Sequence, residues 1–166
     1  MRSALVHHAS VHQAAGQWPA DKAAGSLTLD FDARHRRRIR LTSDLGEDVL
    51  LDLPNAVAMA DGDGLQLDDG RWFRVQAAAE HIVEVKHRDP NQLVRLAWHL
   101  GNRHLPTEIR NDALRIRPDH VIEHMLLGFG ADLRPLEDAF QPKGGAYGGH
   151  SNDHEHDHEG HHHHER

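Results

Sequence analysis

The sequence predicts an α+β protein in two domains, with a small all-β N-terminal domain (residues 1–78) and a ferredoxin-like β-α-β-β-α-β domain (79–140). A Gly/His-rich metal-binding tail (141–166) follows. Three observations predict this. Between Ser26 and about Ala79, apolar residues recur with period two between turn sequences. After Glu80 the spacing switches between strand and helix periods. From Gln141 the composition turns to glycine, histidine and acids, which predicts disorder without a ligand.

The N-terminus MRSALVHHASVHQAAG has no apolar core long enough for a signal peptide and is expected to be mobile, so His7, His8 and His12 count as stray ligands at most. LTLDF then alternates Leu27, Leu29 and Phe31; RIRLT puts Ile39 and Leu41 on one side; VLLDL offers Val49, Leu51 and Leu53. SDLGED, ADGDG and DDGR are turns in which glycine supplies positive φ. HIVEVK (81–86) is another alternating strand. Asp89-Pro90 reads as an N-cap with Pro at the first helical position, and Leu93, Leu96, Ala97 and Leu100 recur at helical spacing up to a stop at Gly101. TEIRNDALRIRP suggests two short strands around Asn111-Asp112. Pro118-Asp119 opens a second helix with the stripe Val121, Ile122, Met125, Leu126 and Phe129, ended by Gly128 or Gly130. DLRPLEDAF is the last strand.

Composition limits the chemistry. The chain of 166 residues has no cysteine, which excludes disulfides, thiolate nucleophiles and zinc or iron–sulfur sites built on sulfur. Any metal site must use imidazole, carboxylate, backbone or water, a set that suits nickel, zinc, copper or cobalt. The formal charge is −7, of which residues 150–166 carry −4 (five acids against Arg166), so the body is only mildly acidic and no nucleic-acid partner is expected. There is no apolar run near 18 residues, hence no expected membrane span or membrane partner and a cytoplasmic location. ARHRRRIR (33–40) is the only dense basic run; alternation around Ile39 and Leu41 makes it a charged strand face, with docking of an acidic protein as the other reading.

Histidine is the conspicuous residue. HSNDHEHDHEGHHHHER closes the chain and holds eight of its 18 histidines: His150, His154, His156, His158, His161, His162, His163 and His164. They alternate with Asp153, Glu155, Asp157 and Glu159, unlike the unbroken run of a purification tag. Elsewhere, His99 falls near the first helix end and His104 in the connection after Gly101. By spacing alone His104 reads as a polar loop residue before it reads as a ligand. His120 and His124, at i and i+4, can chelate one ion or simply form the solvated rim of an amphipathic helix.

HLGNRHLPTEI (99–109), the downstream DHV (119–121) and FQPKGGAYGGH (140–150) resemble the UreE family, the metallochaperones that deliver nickel to urease. The resemblance extends over most of the chain, including LTLDFDARHRRRIRLTSDLGEDVLLDLP (27–54). It implies an N-terminal protein-docking domain, a ferredoxin-like metal-binding domain that forms a homodimer, and a variable histidine tail. It also implies Ni(II) as the ion, with Zn(II) or Cu(II) as in vitro substitutes, and urease apoprotein and its accessory proteins, including the accessory GTPase, as partners. By motif position His104 matches the interfacial metal histidine, His99 a neighbour that is not the principal ligand, His120 a peripheral ligand and His150 a tail histidine that joins the interfacial site. Some relatives carry a histidine where this chain has Pro118, a departure from that two-histidine pattern; His124, one turn later, could substitute for it.

One imidazole cannot hold a divalent ion against water, but a two-fold axis would supply a second identical one. Tail histidines from His150 on would complete the coordination and make it reversible. Imidazole ligates only when neutral, so loading should weaken as pH falls through about 6.5. A nickel or zinc storage or detoxification protein is the competing reading. A metal-dependent hydrolase using His99, His104 and His120 would need a general base that no spacing marks.

Overall fold

The computed structural model describes residues 5–144, so the tail histidines from His150 to His164 lie outside the described residues. Two sheets organise the rest. Strands β1 (Val6–Gln13), β2 (Ala23–Leu29), β3 (Arg38–Thr42), β4 (Asp48–Asp52), β5 (Gly64–Leu67) and β6 (Trp72–Ala77) form one sheet in the order β2-β6-β5-β1-β4-β3. The β1–β4 and β2–β6 pairs are parallel and the others antiparallel. The period-two residues supply its core: Leu27 and Leu29, Val49 and Leu51, Leu65 and Leu67, Phe73 and Val75 are buried together.

The second unit runs β7 (Ala79–Lys86), α1 (Pro90–Asn102), β8 (Glu108–Ile109), β9 (Leu114–Ile116), α2 (His120–Gly128) and β10 (Asp132–Ala139). Its antiparallel sheet has the order β10-β7-β9-β8. The β-α-β-β-α-β order expected from the sequence is therefore present, and the fold is α+β. Val83, Val85, Leu114 and Ile116 pack with Leu96 and Leu100 of α1 and Leu126 of α2. Each such fully buried aliphatic side chain contributes roughly 2 kcal/mol. Glu84 carries the polar network of this sheet: it accepts from Arg115 (3.1 Å) and Arg134 (2.8 Å), and Arg115 reaches Asp138 at 2.9 Å.

Both helices begin alike. Asp89 Oδ1 accepts from Asn91 N at 2.9 Å, and Asp119 Oδ1 accepts from Val121 N and Ile122 N at 3.0 and 3.1 Å. These side chains satisfy amides that have no partner within the helix.

Three local expectations need correction. The N-terminal stretch is no mobile arm: it forms β1, inside the first sheet between β4 and β5. Of its eight residues only Ala9 is buried, so the apolar alternation that marks the other strands is missing. Phe31 is not the last residue of the LTLDF strand, which ends at Leu29. Asp30 Oδ1 accepts from Ala33 N at 2.8 Å, turning the chain into a 3₁₀ turn at Ala33–His35. Finally, α1 does not stop at Gly101; it continues to Asn102.

The two sheets meet through that 3₁₀ turn. Arg34 is 2% exposed, and its guanidinium donates to the carbonyl oxygens of Leu29 (2.9 Å) and Phe140. Phe31 packs edge-on against Phe140 at 5.4 Å, and the Arg117 guanidinium lies 4.8 Å from the centre of the Phe31 ring. Arg117 also pairs with Asp32 at 3.1 Å.

Candidate metal centre

His104 owes its position to the way α1 ends. The amide of His104 donates to the Gly101 carbonyl (3.0 Å) and that of Leu105 to the Leu100 carbonyl (3.2 Å). This pair of bonds is the Schellman motif, with His104 in its left-handed position. The φ of His104 is +56°, and among the described residues it is the only non-glycine with positive φ. Leu105 packs against the core to which Leu100 belongs, the apolar contact that accompanies the motif. The left-handed conformation costs an L side chain roughly 1 kcal/mol or more relative to glycine. Histidine here is therefore a conformational expense with no packing return, because the side chain is exposed.

Among the described residues no hydrogen bond or ion pair reaches the His104 ring. His104 lines a cavity of about 520 Å³ between the two sheets, together with His35, Met59, Leu105, Pro106 and the stretch Gln141–Gly144. The chain leading to the tail is fastened beside it: Lys143 N donates to the Thr107 carbonyl at 2.8 Å and Gln141 N to Glu108 Oε2 at 3.1 Å. The donor set fits a borderline divalent ion that accepts imidazole, although His104 alone supplies one ligand.

The other candidates are placed elsewhere. His99 stacks on Phe129 at 4.8 Å with an interplanar angle of 20°, an aromatic role that couples the two helix ends. His120 and His124 are exposed on α2, and neither lines the cavity of His104. A further group escaped sequence reasoning: His7 Nδ1 lies 3.3 Å from Asp68 Oδ1 and 3.4 Å from Asp69 Oδ2. The β1–β5 pairing joins segments about sixty positions apart, so no local signal marks it. Arg71 already supplies positive charge there, with Nε 2.7 Å from Asp69 Oδ2. The backbone amide of Arg71 first, and then its side chain, hold the Asp69 carboxyl below its ordinary value. Arg71 thus ties this cluster into an ion-pair network, with Nη1 also 3.0 Å from Glu47.

This architecture defines a two-domain α+β protein that presents an exposed imidazole from a helix end, beside the root of a histidine-rich tail. Family comparison gives the particular case. The model of the UreE urease accessory protein N-terminal domain matches residues 6–78, and that of its C-terminal domain matches residues 80–165. The chain belongs to the UreE urease accessory protein family. It is 56% identical over 127 residues to a urease accessory protein UreE of Bradyrhizobium sp., a match covering 76% of this chain and 60% of that relative. It is 51% identical over 138 residues to that of Beijerinckia indica (83% of this chain, 79% of the relative) and 50% identical over 143 residues to that of Chelativorans sp. (86% and 90%). The chain thus spans about three fifths of the Bradyrhizobium relative, and nearly all of the Chelativorans one.

Proposed function

We propose that this protein is a nickel metallochaperone that binds Ni(II) and delivers it for assembly of the urease active site. The observation that carries the reading is His104 in the left-handed position of a Schellman motif, where glycine would be more stable and the imidazole is exposed and, among the described residues, without a hydrogen-bond partner. A helix end holds the imidazole in place, and the other ligands of the ion come from elsewhere.

Two features supply those partners. On α1, Val94 and Trp98 stand one turn apart and are 70% and 64% exposed, and on α2 Val121 is 64% exposed. Apolar side chains this open on adjacent helices suit burial against a second copy of the chain. A two-fold axis near the end of α1 then gives one His104 from each subunit. From Gly144 to His150 is six residues, a reach of at most about 20 Å, so a tail imidazole can join the same ion. His154, His156, His158 and His161 to His164 add capacity and local concentration. His120 and His124 form a weaker peripheral pair on α2.

In this reading the partners are urease apoprotein and its accessory proteins, including the accessory GTPase, and the ion is cargo. Zn(II) and Cu(II) compete for the same imidazoles in vitro. The test is urease activation in cells lacking this protein, complemented by wild-type or His104→Ala chains, with calorimetric Ni(II) titration of both. The variant is expected to lose the tightest binding event and most urease activation. An unchanged first binding event refutes the assignment.

A further inference from the structure

The basic run ARHRRRIR contains one residue that the proposed function leaves without a role. His35 ends the 3₁₀ turn Ala33–His35, and its ring packs against Phe31 with centroids 4.4 Å apart. Its Nδ1 lies 2.7 Å from the Phe31 carbonyl oxygen. A carbonyl only accepts, so Nδ1 donates, and in the neutral ring Nε2 keeps its lone pair. Carbonyl and carboxylate partners fix the tautomer of metal-binding histidines in the same way.

An oriented imidazole alone is no site; its surroundings supply the second observation. His35 lines the same interdomain cavity as His104, and Gln141–Gly144, the last described residues before the histidine-rich tail, line it too. The turn carrying His35 is held firmly, because its neighbour Arg34 is buried and bonded to the carbonyls of Leu29 and Phe140. That guanidinium is turned to those carbonyls, and Glu80, Asp30 and Asp61 lie close enough to offset its charge. A divalent cation in the cavity is therefore not facing an uncompensated arginine.

We propose that His35 is an additional ligand for the cargo cation, holding it through Nε2 in the interdomain cavity that it shares with His104. The N-terminal domain then contributes chemistry as well as docking, and loading couples the two domains. This inference rests on the reading of His104 as a metal ligand and extends it to a second imidazole of the same chain.

The experiment uses the full chain with ¹⁵N-labelled histidine, titrated with Ni(II) chloride alone up to one ion per chain. The paramagnetic ion is expected to broaden the side-chain signals of both His104 and His35. In parallel, His35→Gln, which keeps a donor for the Phe31 carbonyl, should bind the first ion about tenfold more weakly while its melting temperature is unchanged. If His104 broadens while His35 stays sharp and His35→Gln binds like wild type, this inference falls and the proposed function stands. If only tail histidines respond, both fall.

Discussion

The two helices of the C-terminal domain end in the same motif with different residues. At the end of α2, Gly130 N donates to the Leu127 carbonyl at 2.9 Å and Ala131 N to the Leu126 carbonyl at 3.1 Å, and Gly130 takes a φ of +80°. At the end of α1 the same two bonds are made, and the left-handed residue is His104. Their N-termini are both capped by aspartate. Only at the left-handed position does the chain depart from the stable choice, and there it places an exposed imidazole. Gly130 marks where structure alone decided the residue; His104 marks where another demand overrode it.

The largest expected effect of breaking this contrast is on metal. His104→Gly makes the two ends chemically equivalent, and should abolish the tightest Ni(II) event, weakening first-ion binding by about 100-fold or more, equivalent to about 2.7 kcal/mol. Calorimetric titration reads this directly; first-ion affinity within a factor of three of wild type would refute the ligand role.

Acidification separates the same two demands. Imidazoles lose their ligand form as pH falls through about 6.5, so bound Ni(II) should leave the full chain between neutrality and about pH 5. The fold should outlast it. Burial raises the Glu84 carboxyl, but the hydrogen bonds from Arg134 and Arg115 outweigh it and leave it below its ordinary value. The Arg115 bond likewise lowers Asp138. A carboxyl depressed in the fold gives stability that is present above its unfolded pKa and disappears as pH falls through the folded one. This network therefore weakens only below the ordinary carboxylate range of about 4. Metal content and circular dichroism followed against pH should show release well before unfolding; coincident transitions would contradict the separation.

Gly130→Val should be the most damaging exchange for stability. A Cβ at Gly130 would lie 3.3 Å from His87 Nε2, which bonds the Phe129 carbonyl, and a β-branched residue is poorly suited to positive φ. Destabilisation of about 2 kcal/mol in urea unfolding is expected. His104→Gly should move the other way, gaining about 1 kcal/mol as it loses the metal. A stability loss in His104→Gly would mean that His104 is held by packing, and the contrast would dissolve.

Much of this was legible in the sequence, for physical reasons that particular residues show. Leu27 and Leu29, or Val49 and Leu51, alternate because one face of their sheet is dry, and Asp89 and Asp119 announce helix starts because short carboxylates satisfy free amides. The β1 strand was hidden because a single small residue, Ala9, is its only buried position. The true end of α1 was hidden because Gly101 offers a plausible stop, while a histidine in the left-handed conformation carries no compositional mark. GNRH drew attention to His104 by resemblance, and spacing alone favoured a loop residue. His35 and the His7 cluster depend on contacts between distant segments, which no local pattern encodes.

The smallest stability effect is also the most discriminating. After glycine, asparagine is the residue that best tolerates the left-handed conformation, because its short polar side chain bonds locally. His104→Asn should therefore leave stability within about 0.5 kcal/mol of wild type, or slightly higher. An asparagine amide is a poor ligand for a borderline divalent ion, so the variant should still lose the first Ni(II) event. His104→Gly changes the backbone and the ligand together, whereas His104→Asn changes the ligand almost alone. If His104→Asn keeps both its stability and its tight Ni(II) binding, the imidazole is not what the left-handed position is there to present.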